Sequence, residues 1–99
     1  MKKTESIPAF TAKPKAALYA YTSMCGTCQV AGKMLDVVEA MNTGVPLERI
    51  NINYYEEIAR DYQIESVPCL LLFEQGVLKK KIYAFQSVPY IYEEIRSII

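Results

Sequence analysis

The chain has 99 residues and a mass of 11.3 kDa, which is the size of one small domain. Hydrophobic residues make up 52% of it and charged residues 22%, so the composition excludes a disordered chain. The 11 basic and 11 acidic residues balance, which argues against a nucleic-acid or anionic-membrane partner. Three cysteines are too few for a disulfide-stapled scaffold, and the absence of histidine excludes Ser-His-Asp catalysis and ordinary zinc hydrolysis.

Residues 1–14 are predicted to form an N-terminal arm, with a short edge strand at residues 6–10, and residues 15–99 a single domain. Two lysines near the start resemble a signal peptide, but Glu5 and Pro8 fall where its apolar run should be. No apolar stretch approaches the ~18 residues of a spanning helix. We therefore expect a cytoplasmic protein, in which disulfides tend to be catalytic rather than structural.

The first half of the chain reads as a strand followed by a long helix. Residues 15–22 are short and apolar, which predicts a strand that ends in a turn. From residue 26 to residue 41 the apolar spacing becomes helical. The face of this helix that we expect to pack in the core consists of Val30, Met34, Val37, Val38 and Met41.

The second half continues with a strand, a short helix, two strands and a last helix. The predicted ranges are 47–53, 55–62, 67–73 and 77–85, followed by a helix that buries Ile91, Ile95, Ile98 and Ile99. A Gln-Gly turn between the last two strands makes them an antiparallel hairpin. The order β-α-β-α-β-β-α predicts an α/β protein with a central mixed sheet and helices on both faces. The three consecutive lysines at 79–81 are interpreted as a solvated, edge-protecting stretch.

Cys25 and Cys28 lie where the first strand ends and the long helix begins. The unpaired N–H groups and positive dipole of a first helical turn favour a thiolate, which is the nucleophile in disulfide exchange. Lowering a thiol pKa from ~8.5 to ~7 requires about 2 kcal/mol, which a helix terminus and local hydrogen bonds can supply. Residues three apart are neighbours on a helix. The pattern therefore predicts Cys25 as the exposed attacking thiol and Cys28 as the covered resolving thiol.

Half of a metal site is the alternative interpretation of a Cys-x-x-Cys pair. Zinc takes four ligands, and three cysteines without histidine fall short unless a carboxylate or a second chain contributes. A pair that opens a helix after a strand is more typical of redox chemistry. We expect no metal, and no cofactor other than the redox-active pair itself.

Three segments of the chain resemble a thioredoxin, namely residues 21–28, 62–68 and 70–76, and the resemblance extends over residues 15–99. It implies a thioredoxin-like fold. It also implies a thiol–disulfide oxidoreductase that exchanges protein disulfides and is restored by a thioredoxin-reductase-like flavoprotein or another dithiol protein. We expect a monomer with no nucleic-acid or membrane partner.

The resemblance also implies a substrate surface around the cysteines. In the family, the proline that matches Pro68 is cis and faces the cysteine pair, and the backbone just before it, here Val67, pairs with the substrate chain. The remaining contact residues implied by the resemblance are Met24, Gly26 and Thr27.

The chain departs from the usual thioredoxin pattern at four positions around the pair. Met24 stands where the family has tryptophan, and Thr27 stands where it has proline. Tyr19 replaces the buried aspartate that handles the proton of the resolving cysteine, and Arg49 matches the nearby lysine. Because tyrosine is a poor base at neutral pH, we expect slower or differently poised exchange, with a less strongly reducing couple.

Cys69 has two interpretations. It is either an extra thiol close to the pair, open to glutathionylation or cross-linking, or a small buried residue at the start of a core strand. Two alternative functions also remain at this stage. One is a non-catalytic thioredoxin-fold adaptor, and the other is a metal- or cluster-binding dimer through Cys25, Cys28 and Cys69.

Overall fold

A computed structural model of the chain describes residues 6–98, in which there are four helices and four strands. The first five residues of the predicted arm, and Ile99 of the predicted last helix, lie outside the described residues. The helices are α1 (Ile7–Thr11), α2 (Gly26–Ala40), α3 (Glu56–Asp61) and α4 (Val88–Arg96). The strands are β1 (Lys15–Tyr21), β2 (Leu47–Asn51), β3 (Cys69–Glu74) and β4 (Val77–Ile82).

The four strands form one mixed sheet in the order β2-β1-β3-β4. Strand β1 runs parallel to β2 and antiparallel to β3, and β3 pairs with β4 in an antiparallel hairpin. The two central strands are almost completely buried, and Leu18 of β1 lies opposite Leu71 of β3. The predicted α/β class and the hairpin are confirmed.

Helices cover both faces of this sheet, as predicted. Side chains alternate along a strand, so neighbours on β3 enter different cores. Leu70 and Leu72 pack in a cluster with α2 and α4, whereas Leu71 and Phe73 pack in a second cluster with α1 and side chains of α3. The sheet therefore separates the molecule into two apolar layers, and the side of the sheet decides which helix a residue meets.

The prediction of an edge strand at residues 6–10 is wrong, because helix α1 forms there. Ser6 is the N-cap, and its hydroxyl accepts the N–H of Ala9 at 3.2 Å. Pro8 lies in the first turn, where its missing N–H leaves no bond unmade. Ile7 and Phe10, three residues apart, are buried on one side of the helix and anchor it to the sheet.

The predicted core face of α2 is wrong at most of its positions. Val30, Val37 and Met41 are exposed, Met34 is half-buried, and only Val38 is buried as expected. Two apolar stripes run along this helix, and periodicity alone does not distinguish them. The stripe that enters the core consists of Cys28, Ala31, Leu35 and Val38.

The strand ends differ from the predicted ranges by two or three residues. Strand β2 stops at Asn51, whose side chain accepts the N–H of Asn53 and starts a 3₁₀ turn at Ile52–Tyr54. Strand β3 begins only after Pro68, and β4 ends at Ile82. Residues 83–87 are therefore a loop that leads into α4, beside the start of β3.

The lysines of β4 attach neighbouring helices to the sheet edge. Lys80 forms an ion pair with Glu94 of α4 at 2.7 Å. Lys81 donates hydrogen bonds to the backbone carbonyls of Tyr62 and Gln63, just after α3, at 3.0 and 2.9 Å. Lys79 and Lys80 are exposed, as the sequence predicted for all three, whereas Lys81 is half-buried.

Candidate active site

The cysteine pair lies at the junction of β1 and α2, and the structure joins Cys25 and Cys28 in a disulfide. Cys25 is the N-cap of α2, with extended backbone angles that turn the chain from the strand into the helix. Its sulfur accepts the backbone N–H of Cys28 at 3.1 Å, and the Thr27 hydroxyl lies 3.5 Å away. The Cα atoms of the two cysteines are 5.2 Å apart. The pair therefore lies at the start of a helix, as predicted.

The two sulfur atoms differ in access. Cys25 is partly exposed, whereas Cys28 is only 5% exposed and lies one turn inside α2. The first-turn N–H groups and the positive end of the helix dipole are directed at Cys25. After reduction, this environment favours a thiolate on Cys25 over one on Cys28.

The residues around Cys25 are open to solvent. Met24 is 96% exposed, and Gly26 and Thr27 are also exposed. A Cβ atom added at Gly26 would have no heavy atom within 4 Å. These three positions therefore form an exposed surface beside the disulfide.

The peptide bond between Val67 and Pro68 is cis, as the resemblance implies. Pro68 and Thr27 line the same groove of about 480 Å³. The segment around Pro68 therefore shares one surface with residues 22–28, which we call the cysteine turn. Val67 lines a separate cavity of about 210 Å³ together with Thr22. The cis peptide thus lies between two depressions, each of which is bordered by a residue of the cysteine turn.

The far side of the larger groove comes from the loop after β4, which sequence analysis assigned to a strand. Its lining residues from this loop are Tyr83, Ala84, Phe85 and Gln86. The usable signal was the pair of polar residues Gln86 and Ser87, just before Val88 and Pro89 at the start of α4. Gln86 has a positive φ of 57°, which is typical of a turn rather than a strand.

Tyr19 lies behind Cys28 and is 2% exposed. Its hydroxyl donates a 2.6 Å hydrogen bond to the backbone carbonyl oxygen of Cys28. Burial raises the pKa of Tyr19 to about 12, although the positive charge of Arg49 lowers it. The hydroxyl therefore keeps its proton at neutral pH and acts as a donor, not as a base.

Arg49 contacts α2 rather than either sulfur atom. Its guanidinium pairs with the carboxylates of Asp36 and Glu39 at 2.8 and 2.7 Å, and it donates to the Gly32 carbonyl at 3.3 Å. The acidic pair at i and i+3 on α2 was the sequence signal for this contact, and it was missed. Arg49 also lines a cavity of about 330 Å³ that reaches Tyr19 and Cys28.

A second missed contact supports the turn before Cys25. The side-chain amide of Asn51, at the end of β2, donates to the Ser23 hydroxyl at 3.0 Å. Parallel pairing brings the ends of β1 and β2 to the same edge of the sheet, with Tyr21 opposite Asn51. The sequence shows two polar residues at strand ends, but only the register brings them together.

Cys69 is fully buried and lies on the sheet face opposite to α2, in the cluster with α1. Burial raises the pKa of its thiol to about 11, although a hydrogen bond with Tyr83 and the charge of Lys81 lower it. Of the two interpretations from sequence, this environment is that of the small core residue.

Within residues 6–98, no three Cys, Asp or Glu side chains are grouped so that they could hold a metal ion. The longest helix of this part of the chain has 15 residues, and no helix in it is suited to crossing a membrane.

Sequence comparisons agree on one family. The family model for thioredoxin matches residues 6–96. Thioredoxin-like protein YusE of Bacillus subtilis (strain 168) is 53% identical over 80 residues, which cover 81% of this chain and 76% of that protein. Thioredoxin of Mycoplasma genitalium is 27% identical over 85 residues, which cover 86% of this chain and 81% of that protein.

Solved structures show the same fold. A mutant thioredoxin from Halobacterium salinarum NRC-1 has a TM-score of 0.83 at 22% identity, over 92% of this chain and 80% of that one. Oxidised mitochondrial thioredoxin 3 from Saccharomyces cerevisiae has a TM-score of 0.81 at 18% identity, over 91% and 85% of the two chains. Since the family match spans nearly the whole described chain and includes the Cys25–Cys28 disulfide, the protein belongs to the thioredoxin family and is a thiol–disulfide oxidoreductase.

Proposed function

We propose that Cys25 attacks substrate disulfides and that Cys28 resolves the resulting mixed disulfide. The observation that carries this proposal is the position of the Cys25 sulfur, partly exposed at the N-cap and accepting the Cys28 N–H at 3.1 Å. An N–H directed at sulfur stabilises a thiolate more than a thiol, because hydrogen bonds to an ion are the stronger ones. Cys28 is too covered to meet a large substrate, so its partner is Cys25.

We propose that the substrate is held by the surface between the cysteine turn and the cis peptide. The exposed Met24 supplies a flexible, polarisable contact that suits varied partners. The backbone of Val67 would pair with an extended substrate segment, as strand addition requires. The other contact residues in this proposal are Gly26, Thr27 and Pro68.

The physiological setting is proposed on family grounds. Thioredoxins act on proteins and are recycled by reductases in general, and the two cysteines supply the redox chemistry without a separate cofactor. We propose that this protein works as a monomer in the cytoplasm, with a reductase or another dithiol protein restoring its reduced form.

Three single substitutions test the assignment of roles. With a disulfide-containing protein such as insulin as the substrate and a dithiol as the reductant, Cys25→Ser should abolish turnover. When no reductant is present, Cys28→Ser should instead accumulate a covalent complex between Cys25 and the substrate, which mass spectrometry detects. Cys69→Ala is the matched control, because its buried sulfur is on the other sheet face, and turnover should be retained.

The proposal is wrong if Cys25→Ser keeps the rate of the unmodified protein. It is also wrong if the trapped complex of Cys28→Ser proves to be linked through Cys69.

A further inference from the structure

Tyr19 contacts the cysteine turn from inside the protein, where no substrate reaches. Its hydroxyl holds the backbone carbonyl of Cys28 at 2.6 Å, and Cys28 belongs to the first turn of α2, whose N-cap is Cys25. Tyr19 itself lies on β1, a central strand of the sheet. One buried hydrogen bond therefore connects the turn that carries both sulfur atoms to a central, buried strand of the sheet.

The position of this hydroxyl is determined by its surroundings. The Tyr19 ring packs edge-on against Phe85, with centroids 5.8 Å apart, and tilts against Tyr21 at 5.7 Å. Its backbone pairs with Arg49 on one side and with Leu70 on the other. Because the ring is already ordered by packing, little additional entropy is lost when the hydroxyl bonds to the helix.

Proton transfer is not what this hydroxyl contributes. The hydroxyl already donates a hydrogen bond to a carbonyl oxygen, and burial keeps it un-ionised at neutral pH. What remains is control of position, which matters because disulfide exchange depends on how closely one sulfur is held to another.

We propose that Tyr19 is a positioning residue for closure of the Cys25–Cys28 disulfide: its hydroxyl holds the Cys28 backbone so that the Cys28 sulfur stays within reach of the Cys25 sulfur. This inference rests on the roles proposed above for the two cysteines.

Ring closure can be followed with glutathione as the leaving group. The Cys28 thiol releases its proton to water, and its thiolate attacks the Cys25 sulfur of a mixed disulfide with glutathione. The Cys25–Cys28 bond forms as the Cys25–glutathione bond breaks. The departing glutathione thiolate takes up a proton from water, so one disulfide and one thiol are present before and after the step.

The test is the ring-closure equilibrium constant in a Tyr19→Phe variant. Protein equilibrated with oxidised and reduced glutathione is quenched in acid, and mass spectrometry gives the ratio of closed disulfide to mixed disulfide. Phenylalanine keeps the ring and removes only the hydroxyl, so the constant should fall about 2- to 10-fold, which is the net value of one buried hydrogen bond. The oxidised variant should also lose more unfolding stability than the reduced variant, because the hydroxyl is proposed to favour the closed disulfide.

Tyr21→Phe is the matched control. Tyr21 lines the same cavity and touches the Tyr19 ring, but its hydroxyl makes no hydrogen bond within the described part of the chain. Its ring-closure constant should match that of the unmodified protein. Replacing Tyr19 with 4-aminophenylalanine, which retains a donor at that position, should restore most of the constant lost in Tyr19→Phe.

An unchanged ring-closure constant in Tyr19→Phe would overturn the proposal, as would equal losses of stability in its two redox states. Either result would leave Tyr19 a packing residue only. Failure of the underlying cysteine roles is a separate outcome, since Cys28→Ser would then form no mixed disulfide with glutathione on Cys25.

Discussion

The three cysteine sulfur atoms of the chain differ in burial. Cys69 is fully buried and Cys28 nearly so, whereas Cys25 is partly exposed. The environments of Cys25 and Cys69 also favour opposite charge states of the sulfur. A helix N-terminus favours a thiolate at Cys25, while an apolar core favours the neutral thiol at Cys69 and raises its pKa to about 11.

The raised pKa of Cys69 predicts a loss of stability at alkaline pH. The unfolded chain, with a thiol pKa of 9.0, releases this proton before the folded chain does, so the free energy of unfolding falls as pH rises from about 9 to about 11. The contribution of this one thiol reaches roughly 3 kcal/mol at most. Urea unfolding of the oxidised protein and of Cys69→Ala, measured from pH 7 to 11, isolates the contribution of this thiol to the free energy of unfolding.

The stability difference between these two proteins should be constant below about pH 8 and should change in favour of Cys69→Ala above about pH 9. A difference that stays constant up to pH 11 would contradict the predicted burial of the thiol.

At the scale of elements, α2 carries two apolar stripes but buries only one. Its N-terminal turn is held by the disulfide and by the bond from Tyr19, and these contacts direct Cys28 toward the sheet. The direction in which each later side chain of α2 points then follows, because successive residues of a helix are rotated by a fixed angle. Val38 is therefore inside, at 2% exposed, and its chain neighbour Val37 is 49% exposed.

Two adjacent valines test the orientation of α2. Val38→Ala should lower the free energy of unfolding by about 2 kcal/mol, because two buried methyl groups are lost and a cavity remains. Val37→Ala should change it by less than about 0.5 kcal/mol, since this side chain is half in water. Urea unfolding of both variants is sufficient, and equal losses would mean that the helix orientation is wrong.

The lysines of β4 give a graded test of how the sheet edge holds its helices. Lys81→Met should destabilise most, by about 1–2 kcal/mol, because it removes charge-assisted hydrogen bonds to the carbonyls that follow α3. Lys80→Met loses a partly exposed ion pair, and about 0.2–1 kcal/mol is expected.

Lys79→Met is the control for this series, because its side chain is exposed and its stability should stay within about 0.5 kcal/mol. Thermal or urea unfolding gives the three values. An order in which Lys79→Met destabilises more than Lys81→Met would contradict the contacts of β4.

At the scale of the whole molecule, the two central strands are the common wall of both cores. Strands β1 and β3 are hydrogen-bonded to neighbours on both sides and are covered by helices on both faces. The edge strand β4 is mostly exposed or half-buried. The chain can therefore open at this edge while most of both cores stays packed, but it cannot expose the central strands without unfolding globally.

Native-state hydrogen exchange should show this gradient. The amides of β1 and β3, among them those near Leu18 and Leu71, should exchange slowest, with opening free energies equal to the global value. Amides of β4 that bond to β3 should open at lower free energy. Protection in β4 equal to that of the central strands would contradict the gradient.

Local patterns in the sequence were enough to identify most elements and the reactive pair. The strand before Cys25, the long helix after it, the Gln-Gly hairpin and the last helix all depend on residue order and spacing, which are local properties. The same holds for α3, predicted at 55–62 and observed at Glu56–Asp61. Prediction failed where a segment was compatible with two structures, as at Pro8, which suits both an irregular arm and the first turn of a helix.

What the sequence determined by itself is the chemistry, namely two sulfur atoms one helical turn apart after a buried strand. What only the tertiary structure decided is the surroundings of those atoms. The bond from Tyr19 to the Cys28 carbonyl and the ion pairs of Arg49 with α2 join residues that are distant in sequence. Cys69 is separated from the pair because it lies on the opposite face of the sheet. Such contacts depend on strand register and helix rotation, which are properties of the assembled core and of no single segment.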